Sequence, residues 1–338
     1  MKALFFEYHT PTKSEFQELW ERAVFSFDAS VLLDLYRYSK ESREELLRLF
    51  REHRDRIWLT HQSADEFHKN RLKVIAETRK RAADLRIALE ALINRAEREY
   101  QQHPFVTTEL CAAIAAHCKD DLSAIAEAEF KYPNLPSEDP IASELLEIFD
   151  GRVGRPYPEA KRKELYAEIE ARYGHETPPG YLDRKTKEAL RSHGDCILWF
   201  QLIDHSKENK QPAILVTRDV KEDWWVREAG KTLFPRPELR REFRERTGGC
   251  DFYLYRTEQF IEHAKALKKD AVSEKLLQES RVIAETVEML RQEAQATSDG
   301  AQPSSDPLSH SVKLTSDADG GTERLQVSDS RDQESAEG

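Results

Sequence analysis

Ala213-Ile-Leu-Val-Thr-Arg-Asp219 decides the fold: a continuous apolar, β-branched run that ends at an acid. A run without polar alternation is the pattern of a strand buried on both faces, at the centre of a parallel sheet. Val24-Phe-Ser-Phe-Asp28 has the same form, an aromatic and β-branched run closed by an acid, with an amphipathic helical stretch from Ser30 to about Phe50 behind it. Arg56-Ile-Trp-Leu-Thr60 supplies another strand-like piece, and Thr60 or Gln62 then begins a helix with Glu66 in its first turns. Phe252-Tyr-Leu-Tyr255, with a helix from Thr257 to about Leu267, completes the sheet. Strand followed by helix, repeated, predicts an α/β fold.

Between these units the pattern is helical. Leu85, Ala88, Leu89, Leu92 and Ala96 recur at the spacing of a long exposed helix with one buried stripe. The helical run continues through Thr107–Lys119 and Asp121–Lys131, breaks at Pro133 and Pro136, resumes near Ile141–Phe149 and Pro158–Tyr173, and closes at the turn Pro178-Pro-Gly-Tyr181. This is a large helical insertion over about 76–180. After Gly194, the stretch Asp195-Cys-Ile-Leu-Trp-Phe-Gln-Leu-Ile203 is apolar on several faces and reads as a buried helix. The expected organisation is one domain over 1–267, a polar helix over 268–296 and a disordered acidic tail over 297–338, where aromatic residues vanish. There is no internal repeat.

The chain has 338 residues and a net charge of −11, which argues at first against nucleic acid as a partner. Nine acidic and three basic residues in 297–338 carry six of those charges, so only five remain over 1–296. No apolar run approaches the ~18 residues of a membrane span, and the N-terminal apolar run of four is too short for the core of a secretory signal. A cytoplasmic setting is expected. Cys111, Cys118, Cys196 and Cys250 stand singly and read as reduced core thiols.

Asp28 and Asp219 follow apolar strands, and Asp195 starts a helix after Gly194. Sites in open α/β sheets gather beyond the carboxyl ends of the strands, so these distant acids are expected to converge, with Glu66 joining from a nearby helix. Crowded carboxylates repel one another unless a cation such as Mg²⁺ or Mn²⁺ neutralises them. An all-oxygen site of that kind suits phosphodiester hydrolysis.

Phe27-Asp-Ala-Ser-Val-Leu-Leu-Asp-Leu-Tyr-Arg37, His61-Gln-Ser-Ala-Asp-Glu-Phe-His-Lys-Asn-Arg71, Gly194-Asp-Cys-Ile-Leu-Trp199 and Val216-Thr-Arg-Asp-Val-Lys-Glu-Asp-Trp-Trp225 resemble, in order and context, the PIN-like domain. The likeness is to its large bacterial subfamily with a helical insertion and covers about residues 20–265, the last motif being the most specific. It implies a three-layer α/β/α fold with a central parallel sheet. It also implies Mg²⁺ or Mn²⁺ on Asp28, Glu66, Asp195 and Asp219, with Asp223 as a fifth acid. Thr217 falls where the family often has Ser or Thr beside the metal. Ser30 replaces the family's usual Asn and, as a small polar residue, is still able to orient Asp28.

The activity so implied is a metal-dependent nuclease, an endoribonuclease in preference to a DNA-directed enzyme because RNA cleavage is the commoner activity among PIN relatives. A toxin-like or defence setting goes with it. Lys69 and Arg71, directly after Glu66, are candidates for phosphate contacts. The Arg236–Arg246 cluster interleaves Glu238, Glu242 and Glu245, so pairing within the chain explains it equally well. His61 and His68 share a helical face but lack a third ligand for zinc. Trp224 and Trp225 read as core anchors in preference to base-stacking residues, and Asp34 as a solvated or capping acid. The competing reading is a catalytically silent binding or scaffold module, with protein partners or a second copy on the helical insertion. Phosphatase chemistry on Asp28 is disfavoured because position 30 is Ser where an Asp-x-Asp nucleophile pair needs an acid.

Overall fold

The computed structural model describes residues 1, 4–100, 102–131, 138–185, 193–229, 231–268 and 272–298, so most of the acidic tail expected over 297–338 lies outside the described residues. Three parallel strands form the sheet: β1 (Val24–Phe27), β2 (Ala213–Thr217) and β5 (Phe252–Arg256), in the order β1-β2-β5. Phe27 pairs with Val216, and Val216 with Tyr255, so the strands end level and the acids after β1 and β2 emerge on one edge. The expected strand at 56–60 is reduced to single parallel bridges, Phe25 to Ile57 and Leu59 to Val153, which widen the sheet beyond β1.

Strand alternation divides the core into two layers. Phe25, Phe27, Ile214, Val216, Tyr253 and Tyr255 pack on one face with α1 (Lys13–Arg22), α2 (Ala29–Asp34) and α3 (Lys40–Glu52). Val24, Ala213, Leu215, Phe252 and Leu254 pack on the other with Trp199 and Phe243. A central sheet with both faces covered accounts for the unbroken apolar reading of β2, whose five residues are all buried. The stretch read as one amphipathic helix from Ser30 to Phe50 is two, because the chain turns after Asp34 and Ser39 caps a new helix by accepting from the Ser42 amide.

Thr60 caps α4 (His61–Arg98), accepting from the Ser63 amide. At 1.5 Å per residue, its 38 residues reach about 57 Å. Phe67, Val74 and Ile75 belong to the main core, whereas further along Ile93 packs with Ala115 and Cys118 of α5 (Thr108–Lys131) in a small separate cluster. The insertion is thus carried by the same helix that carries Glu66. It returns through α6 (Pro140–Ile148) and α7 (Glu159–Gly174) to the apolar α8 (Gly194–Asn209). Unforeseen in the sequence is an antiparallel hairpin, β3 (Trp225–Glu228) and β4 (Lys231–Pro235), set between β2 and α9 (Pro237–Thr247).

The chain divides into two units, Met1–Glu288 and Met289–Gly338. In the first, α10 (Thr257–Lys268) follows β5, and α11 (Glu274–Ser298) begins by burying Leu276 and Leu277 in the core, so the helix expected to be polar is amphipathic at its start. Glu279 there accepts from Ser39 through both its amide and its hydroxyl. Of the second unit, residues 289–298 are described and form the end of α11.

Asp139 ties the insertion to the core. Its Oδ1 caps α6 by accepting from the Ala142 amide at 2.9 Å, while its Oδ2 accepts from Tyr36 at 2.7 Å and Arg71 at 2.6 Å. Asp139→Ala is expected to cost about 3 kcal/mol, since it removes a cap and strands two partly buried donors. Urea denaturation measures this, and a loss under about 1 kcal/mol contradicts the role.

Candidate functional site

β1 and β2 deliver Asp28 and Asp219 to the same edge, and local hydrogen bonds lock them. Ser30 donates its hydroxyl to Asp28 Oδ2 at 2.5 Å, and Thr217 donates to the same oxygen at 3.1 Å. The Thr217 hydroxyl in turn accepts the Asp219 amide at 3.0 Å, and the Ser30 hydroxyl accepts the Arg218 amide at 3.3 Å. Two small hydroxyl side chains therefore stitch the ends of adjacent strands together around one carboxylate. Asp219 Oδ1 accepts the Lys221 amide at 2.9 Å, and its backbone carbonyl accepts the Trp225 indole N–H at 2.7 Å.

Glu66 reaches over Gly194, the residue next to Asp195 at the start of α8. Gln62 donates to Glu66 Oε1 at 2.7 Å, and a Cβ placed on Gly194 would lie 2.5 Å from that same oxygen. The space above Gly194 thus admits the Glu66 carboxylate, which a side chain there would push aside. Asp65 points elsewhere and pairs with Lys69 at 2.5 Å, as one helical step of about 100° requires. Asp195 Cβ lies 3.0 Å from the position of a Cβ on Gly180, whose φ of +88° suits glycine.

Lys221 reaches into this group from the loop after β2. Its ammonium lies 2.7 Å from Asp219 Oδ2, 2.9 Å from Asp183 Oδ1 and 3.4 Å from Asp195 Oδ2, with its side chain only 10% exposed. Burial works against the charged form, but the three carboxylates outweigh it and raise the lysine above its ordinary range. Neither Lys221 nor Asp183 stands out in the sequence as a site residue. Lys221 is one cation inside a recognised motif, and Asp183 sits after a proline-rich turn where nothing marks it as facing β2.

Asp223 occupies a different position from the other acids. The segment after Asp219 is not helical, and Asp223 turns inward, fully buried, to accept the amides of Gly180 at 2.9 Å and Leu182 at 3.4 Å through Oδ2. Burial first, then the charges of Asp195 and Asp219, push its carboxyl up to about 7 against the opposing charge of Lys221. Asp223 thus anchors the 3-10 turn Tyr181–Lys185 that bears Asp183, and Trp224 and Trp225 beside it are the buried core residues expected, with Trp225 opening β3.

Asp34 is not the solvated or capping acid expected. It is buried between Arg37 at 2.9 Å and Arg218 at 3.2 Å, and burial raises its carboxyl against the lowering effect of both arginines. The phosphate candidates spend their charge within the chain, Lys69 on Asp65 and Arg71 on the buried Asp139. His61 opens α4, and His68 lines an apolar hollow beside Leu146 and Phe149, far from a zinc-ligand arrangement.

Among the described residues, no three His, Cys, Asp or Glu side chains converge closely enough, as arranged, to hold a metal ion. The donor chemistry nevertheless suits a hard divalent cation: carboxylate oxygens of Asp28, Glu66, Asp195 and Asp219, with a lysine ammonium already drawn in among two of them.

A family model described as PIN like domain matches residues 24–239, from β1 into α9. The chain belongs to the PIN-like domain family. The match takes in all four acids and the whole insertion, and the parallel sheet flanked by helices agrees with the PIN-like fold, which is of nuclease type in general. No curated protein and no solved structure matches the chain significantly. No helix among the described residues is long and apolar enough to cross a membrane.

Gly194→Ala separates site from scaffold. The new methyl group meets the end of a flexible glutamate and not backbone, so stability is expected to change by less than about 1 kcal/mol. Where these acids hold a divalent ion, Mn²⁺ affinity, read by isothermal titration, is expected to fall because Glu66 is displaced. A variant that binds Mn²⁺ like the parent shows that Glu66 plays no part in holding the ion.

Proposed function

We propose that this PIN-like protein is a metal-dependent nuclease that hydrolyses phosphodiester bonds, acting on RNA in preference to DNA. The observation that carries this reading is the joining of Asp28 and Asp219 through Ser30 and Thr217 at the carboxyl edge of β1 and β2, with Asp195 linked to Asp219 by Lys221 and Glu66 lying over the adjoining Gly194. Asp28, Glu66, Asp195 and Asp219 would hold Mg²⁺ or Mn²⁺. When bound, such an ion activates a water and offsets charge on the five-coordinate phosphorus.

The chain's own residues supply positioning. Ser30 and Thr217 aim Asp28, and Lys221 holds Asp219 against Asp195. Water adds to phosphorus, one P–O ester bond breaks, and the products are a phosphate monoester and a hydroxyl end. Nothing in this scheme needs a nucleophilic side chain. Asp223 acts as a loop anchor in this reading, and Lys69 or Arg71 would meet phosphate only by leaving its partner.

The nuclease domain is taken to run to 267, past the end of the family match, because β5 and α10 complete the sheet. The four free cysteines fit a reducing, cytoplasmic setting. A second reading, a silent scaffold with partners on the insertion, draws support from Lys221, which balances part of the acidic charge without a metal.

Cleavage of labelled single-stranded RNA and DNA in Mg²⁺, Mn²⁺ or EDTA distinguishes these readings. Metal-dependent cutting of RNA is expected, with Asp28→Asn and Asp219→Asn each slower by at least ~100-fold, about 2.7 kcal/mol of barrier. Folded protein that neither cuts nor binds Mn²⁺ supports the scaffold reading, and cutting of DNA alone reverses the substrate preference.

A further inference from the structure

We propose that Lys221 is a built-in counter-cation of the acidic site: its ammonium takes up one cation position, between Asp195, Asp219 and Asp183, and thereby limits the site to a single divalent ion. The inference rests on the metal-binding reading above and deepens it.

Three observations carry it. The ammonium contacts three carboxylates at 2.7, 2.9 and 3.4 Å, two of which, on Asp219 and Asp195, are proposed metal ligands. An ammonium so placed does electrostatically what a second metal ion would do, since opposite charge at contact distance is what permits carboxylates to crowd. The third carboxylate, Asp183, is 2% exposed and lies outside the proposed ligand set, so its interaction with Lys221 is structural. Finally, the lysine is fixed at both ends, its amide on Asp219 Oδ1 and its ammonium on the other oxygen of the same carboxylate. A surface lysine swinging freely would pair with one acid at a time. This one is 10% exposed and draws together acids from the 3-10 turn Tyr181–Lys185, from α8 and from the loop after β2.

A counter-cation held by the chain has two consequences. The acids it contacts stay assembled when no metal is bound, and a divalent ion entering the site is left with the carboxylates that Lys221 does not contact, those of Asp28 and Glu66. Lys221 is therefore a positioning residue, and its effect is read in metal stoichiometry and in stability without metal.

Mn²⁺ alone is the probe, titrated by calorimetry and by the electron paramagnetic resonance of free Mn²⁺ into the full chain and into Lys221→Met and Lys221→Arg. The full chain is expected to bind one Mn²⁺. Lys221→Met is expected to bind a second ion, or the first about tenfold more tightly, because three carboxylates lose their cation. Its melting temperature in EDTA is expected to fall and to recover with Mn²⁺, while Lys221→Arg, which keeps the charge, behaves as the parent. Two ions on the parent chain overturn the proposal without recourse to any variant, which covers the case of a Met variant that does not fold. Equal stoichiometry and affinity in the parent and a folded Met variant also overturn it, leaving the metal-dependent reading intact. Binding by Lys221→Met alone has the opposite meaning: the counter-cation stands and the parent's dependence on metal falls. Binding by neither overturns both.

Discussion

Carboxylates brought to one edge of a sheet repel one another, and much of the architecture around β1 and β2 answers that repulsion. Ser30 and Thr217 donate hydroxyl hydrogens to the same oxygen of Asp28, Lys221 places an ammonium among three further acids, and Arg37 and Arg218 flank the buried Asp34. Each device uses a different part of the chain, yet all act within reach of the ends of two adjacent strands. Coulomb energies at these separations are large in a poorly solvated setting, so an uncompensated cluster of this kind does not persist. The same charge density is what makes the edge attractive to a divalent ion.

The scaffold keeps this arrangement rigid from below. β2 runs between β1 and β5 with every residue buried, and its alternating side chains feed two separate cores, one rich in phenylalanine and tyrosine, the other centred on Trp199 and Phe243. The strand ends that carry Asp28 and Asp219 are therefore fixed by packing on both faces and by the ladder bonds to either side. Glu66 and Asp195 come from helices, and Glu66 reaches the start of α8 because Gly194 leaves room for its carboxylate. The candidate site thus draws on two kinds of residue, those placed by strand register and those placed by helix packing.

The insertion is tied to the same core at both ends. Its long helix α4 is continuous with the turn that bears Glu66, and its return is pinned by Asp139, which joins Tyr36, Arg71 and the start of α6. Arg71 illustrates how a basic residue close to an acidic site in sequence serves the scaffold when a buried acid lies within reach.

Local pattern alone determined the strands at 24–27, 213–217 and 252–256, the buried helix after Gly194 and the long amphipathic helices, because these depend on side-chain periodicity that each segment carries by itself. The convergence expected of Asp28 and Asp219 was legible for the same reason, since parallel strands of matched register end together. The hairpin at 225–235, the reduction of 56–60 to isolated bridges and the break after Asp34 were not, because each is set by what neighbouring elements leave unpaired. Lys221 and Asp183 lie 38 positions apart and share no periodic relation. Only the packing of the 3-10 turn Tyr181–Lys185 against the loop after β2 made them partners, and Coulomb attraction between buried groups, which has no signature in sequence spacing, decided that they stay so.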